Sequence, residues 1–141
     1  MSRIIQSRSP ALPLRAGALP FRSNPGKGTE ILLVRRREHV FWAPPKGHAM
    51  AGRELHEAAS IEAFEEAGAK GTAHPVPLGS YLHTKSSPTL AFISEKVEVV
   101  LFQLRVEALT VSGRKWNGAS DGGFAGTRRR RWSPPVSYAN S

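Results

Sequence analysis

The segment PKGHAMAGRELHEAASIEAFEEAGAKG, Pro45 to Gly71, decides how this chain is read. The chain carries 11 acidic residues against 20 basic ones, yet Glu54, Glu57, Glu62, Glu65 and Glu66 fall within thirteen positions of this stretch. Leu55 to Ala67 is rich in Ala and Glu and free of Gly and Pro, which predicts a helix. Gly68 follows, the residue a helix C-terminus prefers because it enters the left-handed region without a Cβ clash. On such a helix Glu62, Glu65 and Glu66 stand at i, i+3 and i+4 and stack on one face. Like charges at that spacing repel. Either the face is simply solvated, or it holds a divalent cation. A hard ion such as magnesium takes carboxylates, waters and substrate phosphates as oxygen ligands.

The flanks of the helix bear on that choice. From Gly47 to Ala69 the chain resembles the signature of the Nudix hydrolases, G-x5-E-x7-R-E-U-x-E-E-x-G-U, in which U is aliphatic. Gly47 takes the first position, Glu62 the glutamate after the arginine, Ala63 the first aliphatic place, Glu65 and Glu66 the pair, and Gly68 and Ala69 the end. Two positions depart from it. Arg53 stands where the first glutamate is expected, with Glu54 one residue late, and Ile61 replaces the arginine. In the family those two residues brace the loop against the helix while the later glutamates hold metal, so both halves of the brace are changed together. Trp42 to Gly47, Gly79-Ser80-Tyr81, the strand Val97 to Val106 and Arg131 to Pro134 extend the likeness. They point toward a bacterial group related to the diphosphoinositol-polyphosphate and diadenosine-polyphosphate hydrolases.

The resemblance implies an α/β (α+β) fold, an α/β/α sandwich around a mixed sheet. It also implies a metal-dependent pyrophosphohydrolase that cleaves a diphosphate linkage in a nucleoside-diphosphate-linked or polyphosphate small molecule. Glu62, Glu65 and Glu66, with the carbonyl of Gly47, would ligate Mg2+ or Mn2+, and the same three glutamates would be the catalytic set, Glu62 activating the water. Some members take the base from a later loop, which keeps Glu95 and Glu98 as candidates. Lys46, Arg35 and Arg37 are the candidate substrate-binding cations. Trp42 could stack on a base or pack beside the loop. His48 and His56 have no second histidine at ligand spacing, and a hard-cation site prefers oxygen, so both read as surface residues. Two other readings compete with the enzyme. One is a non-catalytic Nudix-like binding module. The other is a basic RNA-associated protein, such as one acting on an RNA 5′ end.

Composition sets the wider bounds. The 141 residues are 40% hydrophobic, enough for one core. The absence of cysteine excludes disulfides, thiolate metal sites and thiol catalysis, and fits a reducing cytoplasm. No apolar run approaches the ~20 residues of a membrane helix, and MSRIIQSRSP lacks the apolar core of a signal peptide. A cytoplasmic protein with no membrane partner is expected. The net charge of +9 suits a polyanion. The arginine runs Arg35 to Arg37 and Arg128 to Arg131 read as solvated strand edges or turns. No nucleic-acid motif accompanies them, so a dedicated nucleic-acid partner is not expected.

Along the chain, residues 1–10 read as a flexible arm and 11–141 as a single domain. A first strand is expected within Ala11 to Phe21, confined to an edge or interrupted by Pro13 and Pro20. Ser23 to Gly28 reads as a turn, Glu30 to Val34 as a buried strand, Val40 to Ala43 as its short partner, and Lys46 to Arg53 as a loop. Further strands are expected at Leu78 to His83, Leu90 to Ile93, Val97 to Val106 and Arg128 to Trp132, the third of these central and covered on both faces. Lys85 to Pro88 reads as a turn and Gly113 to Gly126 as a long surface loop. Residues 133–141 do not read as a helix. The closing C-terminal helix usual in Nudix domains is therefore expected to be missing or truncated, leaving a patch that a homodimer could cover.

Overall fold

Alternating small apolar residues let one strand lie at the centre of a mixed sheet with a helix against it. The computed structural model describes residues 11–36, 40–86, 94–110 and 128–134. In chain order these form β1 (Leu14–Asn24), β2 (Gly28–Arg36), β3 (Lys46–His48), α1 (Leu55–Ala67), β4 (Ala69–Lys70), β5 (Gly79–Ser86), β6 (Ser94–Arg105), β7 (Ala108–Leu109) and β8 (Arg128–Ser133). The main sheet runs β5-β6-β1-β2-β8 with β3 added to β1, and β4 pairs with β7 separately. The β1–β6 pair is parallel and the other neighbours are antiparallel. A mixed sheet with one helix is the α+β architecture that the resemblance implies.

Register assigns the faces. Ala16, Ala18, Leu32, Val34, Phe102 and Leu104 form a buried cluster with Ala58, Ala59, Ala63 and Ala67 of α1. Val97 and Val99 are buried too, at odd positions of β6 and so on the opposite face. The expectation of a long β6 covered on both sides therefore holds. Alanine on helix and sheet alike brings the two backbones close together. α1 is barely amphipathic, because its buried face also carries Glu62 and Glu66.

The ends of α1 are held locally and from afar. Glu57 Oε1 accepts the Glu54 N–H at 2.8 Å. Gly68 has φ 66°, and its N–H turns back to the Ala63 and Phe64 carbonyls. Arg130 reaches across from β8 and donates to the Ala67 carbonyl at 3.0 Å and to that of Thr110 at 3.3 Å. A cation at a helix C-terminus is favourable to the helix dipole.

The structure corrects several expectations. β1 is central rather than an edge strand, and it runs three residues past Phe21 to Asn24. Pro20 is tolerated because β1 changes partner there. Ala18 donates to Pro45 O on the β3 side, and pairing with β2 begins at Phe21, so the missing N–H of Pro20 falls between the two ladders. Of Val40 to Ala43, only Ala43 pairs with β2, through Val34, while Val40 and Phe41 are exposed. The loop expected from Lys46 begins as β3. Lys85 and Ser86 belong to β5 rather than to a turn. Arg130 is buried, not solvated, because antiparallel pairing sets it opposite Val34 on the helix side.

The arm 1–10, Arg37, Pro88, Leu90 to Ile93, Gly113 to Gly126 and residues 135–141 lie outside the described residues. Among those described, no helix is long and apolar enough to cross a membrane.

Gly68 tests the cap. A Cβ there would overlap the Thr110 carbonyl oxygen on a backbone that already has positive φ. Gly68→Ala should lower stability by more than about 1 kcal/mol, read as a drop in urea midpoint with unchanged m.

Candidate active site

The site is built where β3 crosses the helix. Pro45 is fully buried and its carbonyl accepts the Ala18 N–H at 3.0 Å. Ala16 then pairs with Gly47, and Gly17 with Lys46. Gly47 therefore shares the helix side of the sheet with Ala16. A Cβ on Gly47 would overlap the Glu62 carboxyl group, so the absence of a side chain is what seats that carboxylate against β3. One turn on, Glu66 Oε1 accepts the Lys46 N–H at 2.9 Å. Glu62 and Glu66 are each only 5% exposed in a chain of net charge +9. Burying a carboxylate costs several kcal/mol unless bonds or cations offset it.

Glu65 is placed differently. It is half-buried and lines an open groove of about 640 Å³ with Ser60, Ile61, Phe64, Lys70 and Thr110. Ile61, at the arginine position of the family pattern, contributes to the same apolar wall, and Arg53 is exposed. Neither position of the family's polar brace carries its usual charge pair here. Among the described residues, no three His, Cys, Asp or Glu side chains are gathered around one metal position. The donor set is nonetheless the one a hard divalent cation takes. It is all oxygen, with two of the carboxylates already buried against the β3 backbone.

The other candidates scatter. Glu98 is half-buried and its Oε2 accepts from Ser80 Oγ at 2.7 Å. Its even position in β6 puts it on the helix side of the sheet, with β1 between it and β3. Glu95 and His48 are exposed. His56 lies 6.2 Å, centroid to centroid, from the Phe102 ring. Trp42 packs beneath arginines, with Arg35 Cζ 5.0 Å and Arg131 Cζ 4.5 Å from its ring centroid.

Two residues with no assigned role in the sequence reading matter here. Arg130 reaches the C-terminal turn of α1. The run of four arginines gave no signal that set it apart, because only the pairing of β8 with β2 assigns its face. Tyr81 is the second. Its hydroxyl is buried with no hydrogen-bond partner among the described residues. Burial, helped by the Glu66 charge, pushes its pKa up to about 12.

A NUDIX domain model matches residues 12–137, nearly the whole chain. The chain belongs to the Nudix hydrolase family. Solved structures share its fold. Ap4A hydrolase from C. elegans is 22% identical with a TM-score of 0.50, over 86% of this chain and 79% of that one. The NUDIX domain of Shewanella oneidensis NrtR, solved with ADP ribose, is 15% identical with a TM-score of 0.57, over 89% and 75%. A MutT/nudix family protein from Enterococcus faecalis is 17% identical with a TM-score of 0.58, over 90% of this chain but 45% of that one. No curated protein sequence matches the chain. As a Nudix hydrolase, the protein acts on phosphorus-containing anhydride bonds.

Two tests follow from this geometry. Gly47→Ala should displace Glu62 and weaken Mn2+ binding by about 10-fold or more, measured by calorimetry, with the far-UV spectrum unchanged. In an alkaline absorbance titration, one of the two tyrosines should ionise near pH 12, and Tyr81→Phe should remove that step. For an acid with a raised folded pKa, the folded state holds the extra proton. The stability Tyr81 contributes is therefore complete below pH 10 and lost as pH rises from 10 toward 12.

Proposed function

We propose that this Nudix hydrolase is a metal-dependent pyrophosphohydrolase acting on a diphosphate linkage in a nucleoside-diphosphate-linked or polyphosphate small molecule, in the cytoplasm. The observation that carries the reading is the pair of buried carboxylates set against β3, Glu62 seated on Gly47 and Glu66 bonded to the Lys46 amide. Glu62, Glu65, Glu66 and the Gly47 carbonyl would hold Mg2+ or Mn2+. Such an ion, when bound, neutralises phosphate charge and makes water more acidic.

The chain's own residues supply the rest. Glu62 is the first candidate to take the proton from the attacking water, and Glu98, on the same side of the sheet, is the second. Lys46, with Arg35 and Arg37, attracts and orients the phosphates. The hydrogen bond to Glu66 and the β1 pairing hold the Lys46 backbone in place. The names of structures that share the fold, an Ap4A hydrolase, a UDP-X diphosphatase and an ADP ribose complex, all concern ligands of this small-molecule class.

A non-catalytic binding module is the competing reading. It is favoured by Arg53, by Ile61 and by the place of Glu65 in the groove. A panel of nucleotide-linked diphosphates with Mg2+ or Mn2+, run beside a Glu65→Gln/Glu66→Gln variant, separates the two. The enzyme reading expects turnover by the wild type that falls about 100-fold or more in the variant. Turnover that persists undiminished in the variant, or no turnover on any compound, would count against it.

A further inference from the structure

Away from the carboxylates, β2 and β8 bring two arginines over one indole. Antiparallel pairing sets Arg35 opposite Arg129 and Leu33 opposite Arg131, so Arg35 and Arg131 occupy diagonal positions on the same face. Neighbouring cations repel, yet both guanidinium groups lie over Trp42, at 5.0 and 4.5 Å from the ring centroid. Trp42 is held in turn, because the adjoining Ala43 exchanges two 2.9 Å backbone hydrogen bonds with Val34.

Neither arginine has an acidic partner among the described residues, and the buried Nε of Arg35 has no acceptor. The indole orders these two cations and nothing described neutralises them. A guanidinium held over a ring by cation–π attraction still carries N–H donors to offer an anion, and phosphate accepts from such a fork.

The position of the stack relates it to the carboxylate site. Trp42 lies five residues before Gly47, no more than about 18 Å of extended chain. The intervening segment is pinned by the Ala43–Val34 and Pro45–Ala18 bonds. Lys46 pairs with Gly17 and, like Arg35 and Arg131, stands on the face of the sheet turned away from α1, whereas Glu62 and Glu66 approach β3 from the helix side. β8, like β5, ends the described sheet as an edge strand. A second copy docked there would set arginines against arginines, which argues against self-association at this edge.

We propose that Arg35, Trp42 and Arg131 form a second phosphate site, which takes a phosphate group of the substrate remote from the linkage that is cleaved. This rests on the hydrolase reading above and narrows its substrates to molecules with phosphate beyond the scissile diphosphate.

The test begins with binding of inorganic tripolyphosphate in metal-free buffer, followed by tryptophan fluorescence and calorimetry. Arg131→Gln and Arg35→Lys should each weaken it about tenfold or more, the second because lysine keeps the charge but loses the fork. Trp42→Phe should abolish the fluorescence change. Lys96→Gln removes an equal charge from an exposed place on β6 and should leave affinity unchanged. In turnover, Arg131→Gln should raise KM, not lower kcat, for substrates with a remote phosphate.

Equal losses in Lys96→Gln and Arg131→Gln would reduce the effect to net charge and overturn the site. So would undiminished binding in Arg131→Gln. Tighter binding of a single-stranded RNA oligonucleotide, lost in the same variants, would overturn the small-molecule assignment. Tripolyphosphate binding that follows the expected pattern while no diphosphate is hydrolysed would support this site and overturn the hydrolase reading instead.

Discussion

The close approach of α1 to β3 is the constraint on which the rest depends. Alanines on the helix meet alanines on β1, and each small side chain contributes only about 0.8 kcal/mol per buried methyl-sized group. Such a face docks a helix less strongly than a leucine face would. What it permits is proximity. With the backbones close, the Glu62 carboxyl group reaches the space left by the missing side chain of Gly47, and Glu66 reaches the Lys46 amide. Larger residues at Ala59 or Ala63 would lift the helix and draw both carboxylates away from the strand.

Charge is distributed around that contact with a consistent sense. The buried carboxylates lie between α1 and β3, and the arginines with assigned contacts lie elsewhere in the fold. Arg130 meets the C-terminal turn of α1, where exposed carbonyls carry partial negative charge. At the end of the β1–β2 hairpin, Glu30 accepts from Asn24 at 2.8 Å and from Arg22 at 2.9 Å. The Asn24 hydrogen bond first, and then Arg22, hold its carboxyl below the usual range against the opposing effect of burial. Arg22 also lies 3.9 Å from the Trp132 ring centroid. Arg35 and Arg131 have an indole beneath them and no acidic partner among the described residues. Among the described basic residues, Arg22 and Arg130 are thus tied to acceptors within the fold, while Arg35 and Arg131 lie over an indole.

Much of this could be read from local pattern. The helix from Leu55 to Ala67 and its glycine cap depend on propensity and on the φ freedom of one residue, both carried within a few positions. β6 declared itself by apolar residues on both faces, and the turn at Asn24 to Gly28 by its Asn-Pro-Gly sequence. The i, i+3, i+4 spacing put three glutamates on one side of a helix. It could not say that Glu62 and Glu66 would turn toward β3 while Glu65 entered the groove beside Ile61 and Phe64, because that depends on which strand lies against the helix.

The remaining differences share this physical origin. Pro20 signals a strand edge only if its missing N–H faces a partner, and the exchange of β3 for β2 beside β1 removes that requirement. Arg130 and Arg131 are adjacent and chemically identical, yet pairing with β2 turns one toward α1 and the other toward Trp42. Sequence by itself determined the helix, its cap, the acidic spacing and the family, since each is written in short-range pattern. Only the tertiary structure decided which carboxylates are buried and which arginine turns toward α1 and which toward Trp42, because burial and pairing arise between segments far apart in the chain.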